Sequence, residues 1–173
     1  GSAYFQFYVG ADIMDSKTNI FQLYQGGIGL GEKEYYLEDD EATKNIREGY
    51  KAHIVKMFQL IGQDEKQATK SMEAVMEIET RLAKKSFNAV EQRNPAANYH
   101  MLTLDELKKQ IPGFDWDAYI SAVGVKGVTS LNVSQIEPVQ EAVAIINELP
   151  MDKQKAYLQW KLIDSAASYL SAD

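Results

Sequence analysis

Apolar residues fall on alternate positions near the start of this chain and at helical spacing through most of the rest. Phe5, Phe7 and Val9 alternate with Gln6, Tyr8 and Gly10, the period-two pattern of a half-buried strand. The polar run Asp15-Ser16-Lys17-Thr18-Asn19 is expected to turn the chain. Ile20, Phe21, Leu23 and Tyr24 then return as a second strand, giving a hairpin over Tyr4 to Gln25. A lone hairpin is marginal in water, so this one is expected to pack on helices or on a third strand.

Helical patterning dominates from Asp39 onward. Ile46, Tyr50, Ile54, Met57 and Ile61 recur at steps of three and four, the stripe of one helix face. Asp39, Asp40 and Glu41 place negative charge at its start, where the helix dipole favours it, and Gly62 is placed to end it. A second helix is predicted from near Asp64 to about Ser86, with Ala68, Met72, Val75, Met76, Ile78, Leu82 and Ala83 inward. So short a link predicts an antiparallel pair. Each fully buried Leu, Ile or Met on these stripes contributes roughly 1.5–3 kcal/mol, far more than a surface ion pair.

Thr103 and Glu106 form a capping box ahead of Leu107, and that short helix ends before Pro112. Asp115 or Asp117 caps the next, which carries Tyr119, Ile120 and Val123 toward Gly124. Val128 to Val133 reads as a short strand. Pro138 suits the first turn of a helix reaching Leu149, where Pro150 breaks it. A final helix aligns Tyr157, Trp160, Ile163, Ala167 and Leu170. The fold class is mainly α, a helical lobe with a small β-hairpin near the N-terminus. No internal repeat or low-complexity linker interrupts it, so residues 3–173 read as a single partial domain behind Gly1-Ser2, an expression scar.

Composition narrows the chemistry. A 173-residue chain suits one domain and buries roughly 70% of its unfolded surface. The net charge of −7 disfavours nucleic acid, whose phosphates require a cationic face, and Lys84-Lys85 beside Arg81 is the densest basic stretch. No apolar run approaches the roughly 20 residues of a membrane helix, and no signal peptide is seen. With no cysteine, disulfides and thiol chemistry are excluded. The sequon Asn132-Val133-Ser134 matters only in a eukaryotic secretory pathway.

The most unusual stretch is Gln25-Gly26-Gly27-Ile28-Gly29-Leu30-Gly31-Glu32-Lys33-Glu34-Tyr35-Tyr36. Its glycines permit a sharp turn and its tyrosines can anchor that turn on a core. Phosphate binding is disfavoured, because the run lacks the G-x-G-x-x-G spacing and no Gly-Lys-Ser/Thr ending follows. The run resembles the GGLGL-x-x-x-x-YY segment of the neprilysin-type (M13) zinc metallopeptidases, which include the endothelin-converting enzymes and bacterial PepO. Two further blocks follow in that family's order. Arg93-Asn94-Pro95 leading through Tyr99, Met101, Thr103 and Glu106-Leu107 is similar to R-[ND]-P-x-x-x-Y-x-x-M-T-x-x-E-L. Tyr157-Leu158-Gln159-Trp160-Lys161-Leu162-Ile163 through Leu170-Ser171 is similar to Y-L-x-W-x-L-[IL]-x-x-x-A-x-x-L-S.

Zincin chemistry needs His-Glu-x-x-His on a helix, two imidazoles on one face with a general base beside them. After His53 come Ile54 and, four positions on, Met57; after His100 come Met101 and Leu104. No EF-hand pattern offers a carboxylate site instead. No catalytic, cofactor-binding or metal-ligating residue is therefore assigned within this chain. Asn88-Ala89-Val90-Glu91 shares only two letters with the family's substrate-anchoring Asn-Ala-x-Tyr, so that role is not carried over. The resemblance implies a segment of the non-catalytic helical lobe of a zinc metalloendopeptidase, with the zinc ion in a catalytic half toward the C-terminus. Its implied partners are the catalytic lobe of the same polypeptide and peptide substrates, in an extracytoplasmic location. The absence of cysteine fits a bacterial homologue better than the disulfide-bonded animal ectodomains.

Competing readings are a free-standing helical module that binds peptides or proteins, and an enzyme built on a carboxylate pair. Glu38-Asp39-Asp40-Glu41 reads as a helix start, and Glu77 and Glu79, two apart on a helix, do not face each other. His53 is expected to be a packed or partly exposed helix residue, and Trp116 and Trp160 to be core rather than a peptide-binding surface. Arg93 before Asn94-Pro95 is expected to clamp the helical hairpin to the Thr103 helix. A lobe without its catalytic half is expected to expose an apolar patch that promotes self-association.

Overall fold

The computed structural model describes residues 3–170, with side chains as far as Ser165. Its elements run β1 (Phe5–Asp12), β2 (Asp15–Gln25), α1 (Glu34–Leu37), α2 (Glu41–Leu60), α3 (Glu65–Lys85) and α4 (Ala89–Gln92). A single 3-10 turn (Ala96–Asn98) leads to β3 (Met101–Thr103), α5 (Leu104–Gln110) and α6 (Trp116–Ala122). The chain closes with β4 (Ser130–Val133), α7 (Ile136–Glu148) and α8 (Met151–Leu170). The molecule is mainly helical with one small sheet. Its chain divides into two compact units, one of Gly27–Lys85 with the chain from Glu148 onward, the other of Tyr4–Gly26 with Ser86–Asn147.

The first unit is built on α2, α3 and α8. The side chain of Asp40 caps α2 by accepting from the Thr43 N–H at 3.1 Å, and the chain then turns at Gly62, whose φ of +106° suits glycine. The pair α2 and α3 forms as the apolar stripes predict, but the α2 stripe is rotated. Ile54 and Phe58 are fully buried, whereas Ile46 is 44% exposed and Ile61 also faces solvent. Ile54 and Phe58, four apart, share a core cluster with Ala68, Val75 and Met76 of α3. On α3 the expected inward residues are buried save Met72, which is half-buried. Trp160 of α8 completes this core with Tyr36, Ile54, Phe58 and Val75. Ala167 and Leu170, expected on the same face of α8, lie beyond the described side chains, as does the Gly1-Ser2 scar beyond the described residues.

The second unit holds a four-stranded sheet in the order β1-β2-β4-β3. The hairpin does gain further strands: β2 pairs parallel with β4, Phe21 opposite Leu131, and β3 pairs antiparallel with β4. Its turn is not where the polar run lies. Asp15–Asn19 belongs to β2, and the reversal occurs at Ile13–Met14, where Asp12 Oδ1 accepts from the Met14 N–H at 2.9 Å. That end of the hairpin projects into solvent, so polar residues continue the ladder instead of ending it. The third strand β3 and the short helices α1 and α4 are absent from the apolar pattern because three or four residues are too few to show a period. The Thr103–Glu106 capping box starts α5 as expected, and Asp115 rather than Asp117 caps α6. Beneath the sheet, Phe5 meets Phe114, Trp116 and Tyr119 at ring-centroid distances of 5.3–5.6 Å.

Candidate functional site

The glycine run ends in an exposed turn whose inner side packs on the helical core. Gly31, at φ +87°, closes a turn by donating its N–H to the Ile28 carbonyl at 2.9 Å, and α1 follows with Tyr35 and Tyr36. That turn delivers the Gly29 N–H to Glu79 Oε2 at 3.1 Å. Glu79 is wholly buried on α3. Its other oxygen, Oε1, accepts from the hydroxyls of Tyr36 at 2.8 Å and Tyr50 at 2.7 Å. Gly29 has to be glycine here, because a Cβ would sit 1.9 Å from the Tyr50 hydroxyl.

The last block of sequence reaches the same carboxylate. Lys161 Nζ lies 3.3 Å from Glu79 Oε2 and donates to the Gly27 carbonyl at 3.1 Å. Trp160 Nε1 donates to the Tyr50 hydroxyl at 2.9 Å. The Tyr36 hydroxyl also accepts from the Leu30 N–H at 3.0 Å. Four donors thus surround the two oxygens, the complement that a carboxylate, an acceptor only, requires. Burial, and then the negative charge of Glu79, push the Tyr36 and Tyr50 hydroxyls well above the ordinary phenol range. Neither phenol nor carboxylate is left free to act on a ligand. The cluster is a polar keystone that joins the glycine turn, α2, α3 and α8.

The remaining chemistry-bearing residues are dispersed. His53 is exposed on α2 with its ring edge-on to Trp160 at 5.8 Å, whereas the His100 Nδ1 is bonded to the Val133 carbonyl at 2.8 Å. No group of three or more His, Asp or Glu able to hold a metal is found among the described residues. The described residues do not fit a catalytic zinc. Asp40 of the acidic run caps a helix, Asp39 pairs with Arg47 at 2.9 Å, and Glu77 pairs with Lys153 at 2.7 Å. Trp116 and Trp160 are both core, as expected.

One residue behaves differently from expectation. Arg93 makes no clamp; its Nε donates to the Ala89 carbonyl at 3.1 Å, within its own short helix. It sits at the C-cap of α4, with its side chain folded back onto that helix. The structural role falls to Asn94, whose Oδ1 accepts from the Ala96 and Ala97 N–H groups, and to Asn98, which donates to the Glu91 and Asn94 carbonyls. Asn132 of the sequon is only 3% exposed, donating to Gln22 Oε1 at 3.2 Å and accepting from the His100 N–H at 2.7 Å. In the folded chain it is out of reach of a glycosylating enzyme.

Sequence reasoning missed Glu79 and Lys161. The signal was present: Ala68, Met72, Val75, Glu79 and Leu82 form one stripe at steps of four, three, four and three. A single acid inside an apolar stripe announces a buried partner.

The model of peptidase family M13 matches residues 1–173. Rat endothelin-converting enzyme 1 (Rattus norvegicus) is 27% identical over 178 residues, covering 98% of this chain and 23% of that protein. An endothelin-converting enzyme homolog of Locusta migratoria is 29% identical, covering 96% of this chain and 24% of that protein. The chain therefore spans about a quarter of the length of the curated relatives it matches. Among solved structures, the Mycobacterium tuberculosis zinc metalloprotease Zmp1 in its open state superposes with a TM-score of 0.84 at 27% identity, over 93% of this chain and 25% of that one. PepO from Lactobacillus rhamnosis HN001 shares the fold, with a TM-score of 0.68 at 16% identity, over 92% of this chain and 25% of that one. With the match running the length of the sequence, the chain belongs to peptidase family M13.

Proposed function

We propose that this chain is a segment of the non-catalytic helical lobe of a neprilysin-like zinc metalloendopeptidase, and that it hydrolyses nothing by itself. The observation that carries this reading is the whole-length match to only about a quarter of each relative. The keystone supports it, because the residues of the glycine and Tyr-Leu-x-Trp blocks spend their polar groups on one another rather than on a substrate. In the parent, a second lobe toward the C-terminus supplies the zinc and the His-Glu-x-x-His helix, and this lobe covers the peptide chamber and restricts substrate size. The parent works outside the cytoplasm, and the isolated lobe, lacking its partner lobe, self-associates through apolar surface. Among the described residues no helix is long and apolar enough to cross a membrane.

The test compares the 173-residue chain with the longer polypeptide that continues it. The expected result is no stoichiometric zinc and no peptide turnover for the chain, with both present in the longer protein and folded proteins spared. Turnover or stoichiometric zinc in the chain alone defeats the proposal. So does a reading frame that continues without the zinc motif.

A further inference from the structure

The last helix, α8, buries a charge and exposes leucines. Lys161 is 8% exposed, held by Glu79 and the Gly27 carbonyl, while its neighbour Leu162 is 73% exposed. Leu162 does not stand alone. Met151 and Leu158 are 64% and 41% exposed, and spacings of seven and four put all three on one face of the helix. Trp160, fully buried, lies on the opposite face. A solvent face in this chain looks different. The exposed positions of α3, a helix of similar length in the same unit, are all Glu, Gln or Lys. A helix that carries large apolar side chains on opposite faces is suited to burial on both.

We propose that an apolar segment of the same polypeptide, outside these 173 residues, packs on the Met151, Leu158 and Leu162 face of α8. The proposal rests on the reading of this chain as one lobe segment of a longer protein. The chain is matched over 98% of its own length but only 23% of rat endothelin-converting enzyme 1, and over 25% of Zmp1, so most of such a protein lies outside it. Tethering decides between that segment and a second copy. A segment on the same polypeptide meets α8 at an effective concentration on the order of millimolar, and it loses no free translation on docking. A few apolar side chains therefore suffice for it. Asp152 and Lys155, exposed beside the stripe, cancel in charge, so the face selects an apolar surface rather than a charged one. In the isolated chain the same face is left to a second copy, and the self-association proposed above takes place there.

The chain has no cysteine, so Leu162→Cys introduces one thiol, whose alkylation by iodoacetamide is followed by mass spectrometry of its own peptide. In the dilute 173-residue chain the thiol is expected to react as fast as in the urea-unfolded protein. In the longer polypeptide it is expected to react about tenfold more slowly or slower still, at a rate independent of protein concentration, and to recover the fast rate in urea. Leu162→Glu buries a charge only where the face is covered. It is expected to lower the urea midpoint of the longer polypeptide and to leave that of the 173-residue chain unchanged. Equal rates in the two proteins, or slow labelling of the longer one that quickens on dilution and so marks a second copy as the cover, would overturn the proposal. Zinc content and turnover of the unsubstituted longer polypeptide test the peptidase reading separately, so either can fail while the other stands.

Discussion

Lys161 and Glu79 show why a buried charge is informative at the scale of a residue. Taking both from water is costly, and their attraction compensates only with good geometry and extra hydrogen bonds, which the two tyrosines, Gly29 and the Gly27 carbonyl provide. Removing one partner strands the other. Lys161→Met is expected to destabilise the fold by about 3 kcal/mol in urea unfolding, far beyond the loss of an exposed pair such as Lys108–Asp117. Gly29→Ala drives a methyl into Tyr50 and is expected to cost about 2 kcal/mol in the same measurement. Gly27→Ala is the matched control: nothing lies within 4 Å of the added carbon, so a change of no more than about 0.5 kcal/mol is expected. Equal losses at the two glycines would show that the close approach to Tyr50 is not what requires glycine.

Among the elements, α2 gives a prediction with a defined sign. Hydrogen bonds from the Thr43 hydroxyl and then its N–H hold the Asp40 carboxyl below its ordinary value of 3.8. A lowered value in the folded state means that the contribution is present above pH 3.8 and is lost as pH falls through the depressed value. Urea midpoints measured from about pH 5 down to about pH 2 are expected to fall less steeply in Asp40→Asn than in the parent chain. Helices with whole apolar stripes, α2, α3, α7 and α8, are legible in the sequence to within a few residues. The sheet is less so. Pairing of β2 with β4 joins Gln22 to Asn132, residues too far apart in sequence for any local pattern to report. The Asp15–Asn19 run misleads because polar residues suit an exposed ladder as well as a turn. The keystone is half legible: the glycines and tyrosines stand out as a run, while Glu79 is readable only from its place on the α3 apolar stripe.

For the whole molecule, tyrosine ionisation reports on integrity. Burial raises Tyr4 and Tyr119 to about 12, and Tyr36 and Tyr50 are held higher still by burial and Glu79. Because the folded values are raised, this contribution is complete below the ordinary value of 10 and is lost as pH rises through about 12. Phenolate absorbance is expected to rise in two steps, exposed tyrosines first and the rest together with loss of helical circular dichroism. A single smooth titration with retained helix would contradict the burial described. The sealed position of Asn132 bears on how the protein is made. In a host that attaches oligosaccharides to nascent chains, the transfer occurs before β4 is assembled, and a sugar there has no space beside Gln22 and His100. Molecules so tagged cannot complete the sheet, so a yeast or mammalian secretory line should yield less usable material than bacteria, and Ser134→Ala should restore it.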